Sequence, residues 1–232
     1  MRSVLCYGDS NTHGQIPGRG PLERYGPDER WPGILRAQLG ADWYVIEEGL
    51  SGRTTVHDDP IEGAHKNGRT YLRPCLQSHA TLDLVIIMLG TNDLKIRFNK
   101  PPSEVAMGIG CLVYDIKELA PGPGGTTPEI MIVAPPPMQD DVKEWKSIFA
   151  GAPEKSRLLA LEFEVLADSL ELHFFDAGSV VSCSEVSHRC RSPQIAGHGA
   201  GPRGRRHRLE PLDMSNQIAA RQRALTDGAT LA

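Results

Sequence analysis

Apolar positions along the chain fall into short blocks whose spacing alternates between that of strands and that of helices. Val4–Tyr7 is apolar, partly β-branched and closed by Gly8, which predicts a buried strand. Trp31–Leu39 carries Ile34, Leu35 and Leu39 on one side at helical spacing, with Gly40 placed to cap it. Trp43–Ile46 reads as a second strand and Tyr71–Ala80 as a short helix. Leu82–Leu89 is almost unbroken apolar sequence, as expected of a central parallel strand covered on both faces. Ser103–Leu119 is an amphipathic helix opened by Pro101 and Pro102, with Val105, Met107, Ile109, Leu112, Val113 and Ile116 assigned to its inner face. Glu129–Ala134 is a fourth strand stopped by prolines 135–137, Lys155–Leu170 a long helix, and His173–Asp176 a fifth strand. Two Gly- and Pro-rich loops interrupt the series at 15–30 and 121–128, the first expected to lie over the active face. Strands alternate with helices throughout, which predicts an α/β fold with a doubly wound, five-stranded parallel sheet.

The pattern stops near residue 187. Gly, Pro, Arg and His crowd 188–208, where no strand or amphipathic helix is visible, and a weak helical pattern returns only around 218–225. Residues 187–232 hold eight Arg against three acids, a net of +5; the whole chain is at −4, so 1–186 carries −9. The chain thus divides into a domain at 1–186 and an Arg/Gly/Pro-rich tail at 187–232, expected to be poorly ordered because its apolar content cannot offset the entropy of ordering. A negative overall charge gives no reason to expect nucleic acid or an anionic membrane as partner. No apolar stretch approaches membrane-spanning length and no signal peptide is visible. The five cysteines lack framework spacing, and Cys6 and Cys111 sit in apolar runs like buried thiols, which points to a reducing, cytoplasmic setting.

Candidate chemistry begins where the first strand ends, at Gly8-Asp9-Ser10. Gly8 would let the backbone turn sharply, leaving Ser10 at the carboxyl end of a strand and the start of a helix. Open α/β sheets place ligands there, and free N–H groups there hold anions. A serine so placed is a nucleophile if a base reaches it; Asp9 and Ser10 also serve equally well as turn and cap residues. Two further strand ends favour the nucleophile. Ser51-Gly52 and Thr91-Asn92-Asp93 each follow an apolar strand, and acyl transfer needs donors aimed at a developing oxyanion. The backbone N–H groups of Ser10 and Gly52 and the Asn92 amide would supply three. Asp9 and Asp93 are expected to fix the loops, and Asn11, Thr12 and His13 to line the mouth, with Ser51 and Thr91 beside the donors. No cofactor or metal is called for, and the histidines lack ligand spacing such as His-Glu-x-x-His.

With these blocks in hand, the chain resembles the SGNH, or GDSL, hydrolases. Gly8-Asp9-Ser10 matches their nucleophile block, Gly52 the glycine block and Gly90-Thr91-Asn92-Asp93 the asparagine block. The strings Glu47-Glu-Gly-Leu-Ser-Gly-Arg-Thr-Thr55 and Val85-Ile-Ile-Met-Leu-Gly-Thr-Asn-Asp93 are similar to the bacterial arylesterase and acyltransferase branch, over residues 3–186. The resemblance implies a flavodoxin-like three-layer α/β/α fold and a homo-oligomer. It also implies cleavage of short acyl esters through an acyl-serine, with acyl transfer to alcohols or hydrogen peroxide in some relatives.

The fourth block departs from the family. Asp-x-x-His is expected just beyond the fifth strand, and the chain reads Cys183-Ser184-Glu185-Val186-Ser187-His188. His188 aligns as the general base and Glu185 as a substitute for the aspartate, with Asp176 the other available acid. A longer carboxylate displaces the imidazole, and a shift of about 1 Å can cost on the order of 10²-fold in rate. With codons chosen for Ser187 onward, reading one nucleotide later gives His-Ile-Asp-Ala-Glu-Ala-His-Lys-Ser-Leu-Gly-Thr-Ala-Leu, which is helical and amphipathic. The expectation is a frameshifted end from about residue 187 that has lost the family's last helix and its aspartate. Such a loss would uncover part of the sheet's apolar face.

Two other functions compete. A flavodoxin-like mononucleotide binder would need a phosphate loop, and residues 8–14 lack the glycines and lysine of one. Nucleic-acid binding through Arg203-Gly-Arg-Arg-His-Arg208 would need aromatic residues for stacking, and none interleave there. A hydrolase with an intact Ser10 and a misplaced base is the third reading.

Overall fold

The computed structural model describes residues 1–16, 19–20, 22–140 and 146–180, and the backbone of 182–183 and 190–191. Five parallel strands, β1 (Arg2–Gly8), β2 (Trp43–Gly49), β3 (Leu84–Met88), β4 (Glu129–Ala134) and β5 (His173–Asp176), lie in the order β2-β1-β3-β4-β5. The chain winds outward from β1 to β2, then crosses back to β3, so the topological switch lies between β1 and β3. In the ladders Gly8 is level with Gly49 of β2 and Met88 of β3. Three strands therefore end on one line, and the three candidate blocks leave the sheet from the same edge.

Helices α1 (Ser10–His13), α2 (Trp31–Leu39), α3 (Gly68–His79), α4 (Pro102–Leu119), α5 (Ala152–Ser156) and α6 (Leu159–Leu170) complete the described layers. Alternation along β1 decides which face each strand residue serves. Leu5 and Tyr7 join Val85, Ile87 and Ile132 under Leu72, Leu76, Ile109 and Phe163 from α3, α4 and α6. Val4 and Cys6 join Trp43, Ile86 and Met88 under Leu35 of α2. Each fully buried aliphatic or aromatic side chain contributes about 1.5–3 kcal/mol. The three-layer α/β/α arrangement with a five-stranded parallel sheet is the one the sequence implied. No helix among the described residues is long and apolar enough to cross a membrane.

Several boundaries differ from expectation. β2 runs on through Glu47 and Glu48, which stay in the ladder despite their charge. α3 starts at Gly68 because the Asn67 side chain accepts from the N–H groups of Arg69 and Thr70. The long helix expected over Lys155–Leu170 is two, α5 and α6, since Leu158 N bonds back to Lys155 O in a tighter turn. Met107 is 68% exposed rather than inward; two residues beyond Val105 is 200° around a helix. Cys111 is only half-buried. Gly8 does not occupy a left-handed turn. A Cβ there would collide with Thr12 Oγ1 at 2.0 Å and Met88 O at 2.8 Å, so close approach, not a sharp turn, requires glycine. The loop at 15–30 folds back on itself, with Tyr25 N donating to Gly14 O and Ile16 N to Glu23 O. A two-residue strand, β7 (Cys190–Arg191), pairs antiparallel with β6 (Ser182–Cys183), where no strand was expected. The remaining expectations for 187–232 lie outside the described residues.

Candidate active site

Ser10 opens α1 directly beyond β1, and its position is set by Asp9. The Asp9 carboxylate, itself buried, accepts the Asn11 N–H at 2.9 Å and so caps the helix. Gly14, at φ 76°, ends the helix with its N–H on Ser10 O. Thr12, expected at the mouth, is instead 1% exposed and packed beneath Gly8. Asn11 is exposed and His13 half-buried, with burial as the main cause that lowers the His13 pKa.

Asn92 is tied to that turn. Its Nδ2 donates to Asp9 Oδ2 at 3.2 Å and to Arg53 O at 3.1 Å, so both amide hydrogens are engaged. An oxyanion held by Asn92 must displace one of them. Gly52 lies at φ 83°, a left-handed conformation that glycine adopts without strain, and a Cβ there would meet Glu62 Oε2 at 2.5 Å. Ser51 O accepts from Lys66 Nζ at 2.8 Å, and Thr91 is half-buried at the start of the Asn92–Leu94 turn. The third block is anchored through Asp93, whose carboxylate accepts the Thr55 N–H at 3.0 and 3.1 Å and the Thr55 hydroxyl at 2.5 Å.

Arg53 and Thr55 were not singled out in the sequence, although both lie in the string that carries Gly52. Arg53 is buried, donates from Nη1 to the carbonyls of Gly8 and Glu48, and sits 4.2 Å over the Tyr7 ring. It thereby joins the ends of β1 and β2, while its own carbonyl takes the Asn92 amide. Arg53 stands four residues past the end of β2 and beside Gly52, and which carbonyls it meets depends on the register of β1 with β2.

The two carboxyl groups of this edge are poised near neutrality. Burial pushes Asp9 up to about 6, against hydrogen bonds from Asn11 and the charge of Arg53. Burial pushes Asp93 up to about 7, with the charge of Asp9 adding to it and the Thr55 bonds opposing. His57, also not anticipated, has Nε2 3.9 Å from Asp93 Oδ1, beyond hydrogen-bond reach, and stacks on Phe98.

His188, the base read from the sequence, and Glu185 lie outside the described residues. Asp176, the other acid considered, ends β5 and spends Oδ1 on the Gly178 N–H at 2.8 Å. The structure thus brings Ser10, Gly52, Asn92, Asp9 and Asp93 to one edge.

Residues 6–192 match the GDSL-like lipase/acylhydrolase family. The chain belongs to that family. Among solved structures of similar shape is a carbohydrate acetylesterase from Sinorhizobium meliloti, 39% identical with a TM-score of 0.78, covering 98% of both chains. The native aryl esterase of M. smegmatis is 37% identical with a TM-score of 0.77, covering 98% of this chain and 99% of its own. A carbohydrate acetylesterase family member from Sinorhizobium meliloti is 33% identical with a TM-score of 0.76, again covering 98% of both chains. No curated protein sequence matches the chain. The three motifs therefore pointed to the right family, and similar solved structures include bacterial acetylesterases and an aryl esterase.

Proposed function

We propose that this GDSL-family chain is a serine esterase that cleaves short acyl esters through an acyl-Ser10 intermediate. Ser10 Oγ attacks the ester carbonyl carbon while His188 accepts its proton, and the oxyanion is held by the N–H groups of Ser10 and Gly52 and by Asn92. The intermediate collapses, the C–O bond breaks, and the departing alcohol takes the proton from His188. Water then repeats the cycle on the acyl-serine, releasing a carboxylic acid. Glu185 or Asp176 orients the imidazole. The observation that carries this reading is the link from the Ser10 turn to Asn92 through Asp9, at the switch between β1 and β3. The acetylesterase and aryl esterase neighbours support a short acyl group, and alcohols or peroxide in place of water would make the same intermediate a transferase.

A second reading, an impaired hydrolase, is favoured by one observation: Glu185 stands where the family places aspartate before the histidine. Hydrolysis of p-nitrophenyl acetate near pH 8 by the full chain, beside Ser10→Ala, separates the two. Turnover that falls by at least about 10³-fold in Ser10→Ala establishes the esterase. A folded chain without turnover establishes the impaired scaffold, and sequencing the coding DNA then tests the frameshifted end.

A further inference from the structure

Glu47 and Glu48 are neighbours on β2, and the pleat sends them to opposite faces. Glu47 turns to the α2 face and is consumed by Arg30 at 2.8 Å and Arg36 at 3.0 Å. Glu48 turns to α3, where no arginine or lysine pairs with it among the described residues. It meets His79 Nε2 at 3.1 Å and the Tyr71 hydroxyl at 3.4 Å. Cys75 completes the group, and the ligand atoms of Glu48, Cys75 and His79 all lie within 4.8 Å of one another.

The three donors come from two elements by simple periodicity. Tyr71, Cys75 and His79 recur every four residues on α3, so they line one helical face, and that face packs on the edge strand β2. We propose that Glu48, Cys75 and His79 form a binding site for a divalent transition metal, Zn²⁺ by donor type, separate from the Ser10 edge. A thiolate, an imidazole and a carboxylate together suit Zn²⁺ better than hard cations such as Mg²⁺ or Ca²⁺. Tetrahedral Zn²⁺ with these ligands sets donor atoms about 3.3–3.8 Å apart, so small side-chain shifts close the site.

The site is also reachable and balanced in charge. The side chains of Glu48 and His79 are 20% and 30% exposed, leaving a fourth position for water or the Tyr71 phenol. Binding breaks the S–H bond of Cys75 and releases that proton to solvent; the carboxylate and thiolate then neutralise the dication. Two features work against it. Burial and the Glu48 charge hold the Cys75 thiol up at about 12, and Arg53, 5.3 Å from the Tyr71 ring, repels a cation.

The experiment is titration of the full, chelator-treated chain with Co²⁺, read by absorbance. The expected result is one Co²⁺ with a thiolate charge-transfer band in the near ultraviolet and visible bands of four-coordinate Co²⁺, bleached by Zn²⁺. Ser10→Ala should keep the spectrum, Cys75→Ser should lose the charge-transfer band, and His79→Gln should weaken binding at least ~10-fold. Because Cys75 is buried and its variant can misfold, the partly exposed His79 carries the test independently. A wild-type chain without the spectrum, or a spectrum untouched by His79→Gln, overturns the proposal.

Discussion

Asp93 and Asp59 are both closed off from solvent, at 0% and 1% exposure, yet their surroundings pull in opposite directions. Asp93 accepts from the N–H and hydroxyl of Thr55 and from its own backbone N–H, and burial still takes its pKa up to about 7. Asp59 meets Lys95 at 3.3 Å and Arg97 at 2.9 Å, and accepts the N–H groups of Ile61 and Glu62. Burial pushes Asp59 up as well, but those N–H groups and Lys95 outweigh it and leave its pKa lowered. Closure from solvent does not by itself set a carboxyl group's charge: Asp59 sits at a shallower site than Asp93 and has cationic partners besides. The paired region braces the loop that carries Glu62 against Gly52, whereas the unpaired region lies at the candidate chemistry.

A large loss at fixed pH should come from breaking the paired side. Asp59→Ala leaves Lys95, itself 3% exposed, facing only Glu62. Removing one partner of a buried pair costs 3–5 kcal/mol, and the remaining Glu62 puts the expected loss near 3 kcal/mol. Urea denaturation at pH 7 measures it, and a loss under about 1 kcal/mol would mean that Asp59 is no better held than Asp93.

Gly52→Ala tests the junction of the two regions. A left-handed residue with a Cβ costs roughly 1–2 kcal/mol, and the new methyl must push aside Glu62. Esterase rate should fall together with stability, because the Gly52 N–H moves with its loop. An unchanged rate would remove Gly52 from the oxyanion donors.

Next comes Asp93→Asn. A raised pKa means that the folded state holds a proton the unfolded chain has released, so Asp93 costs stability as pH rises from about 4 to about 7. Asparagine removes that dependence, about 1.4 kcal/mol per unit within the window. The lowered pKa values of His13 and His57 act the other way, since protonating them as pH falls costs stability. The difference between Asp93→Asn and the parent, rather than either curve alone, is therefore the quantity to follow from pH 5 to 8. A constant difference would mean that Asp93 is ionised throughout.

The contrast also marks what a sequence can show. Ser10, Gly52 and Asn92 were legible because each directly follows an apolar strand, and parallel strands in one sheet must end on a common edge. Arg53 and Thr55 were not, although they stand close to Gly52, because their partners are set by the level register of Gly8 with Gly49 and by a turn 38 residues onward. Asp59, Glu62, Lys95 and Arg97 were not singled out in the sequence; only the fold closes the 36 residues between Asp59 and Lys95. Glu48 was hidden by its neighbour, since two adjacent glutamates look alike until the pleat separates them. The missed start of α3 was a cap, Asn67, that local reading should have caught.

The smallest expected effect isolates the side-chain bond that opposes burial at Asp93. Thr55→Val keeps the buried volume of Thr55 and removes the hydroxyl that donates to Asp93 Oδ1 at 2.5 Å. The backbone N–H groups of Thr55 and Asp93 stay, so the carboxylate keeps those donors. That hydroxyl favours the ionised carboxylate, and its loss should move the midpoint of Asp93 upward from about 7. One hydrogen bond is worth about 1 kcal/mol, equivalent to somewhat less than one pH unit. The carboxyl ¹³C chemical shift followed against pH reads this directly. A midpoint that does not move would show that burial, and not the Thr55 hydroxyl, governs Asp93; a midpoint that falls would show that the hydroxyl had been holding the protonated form.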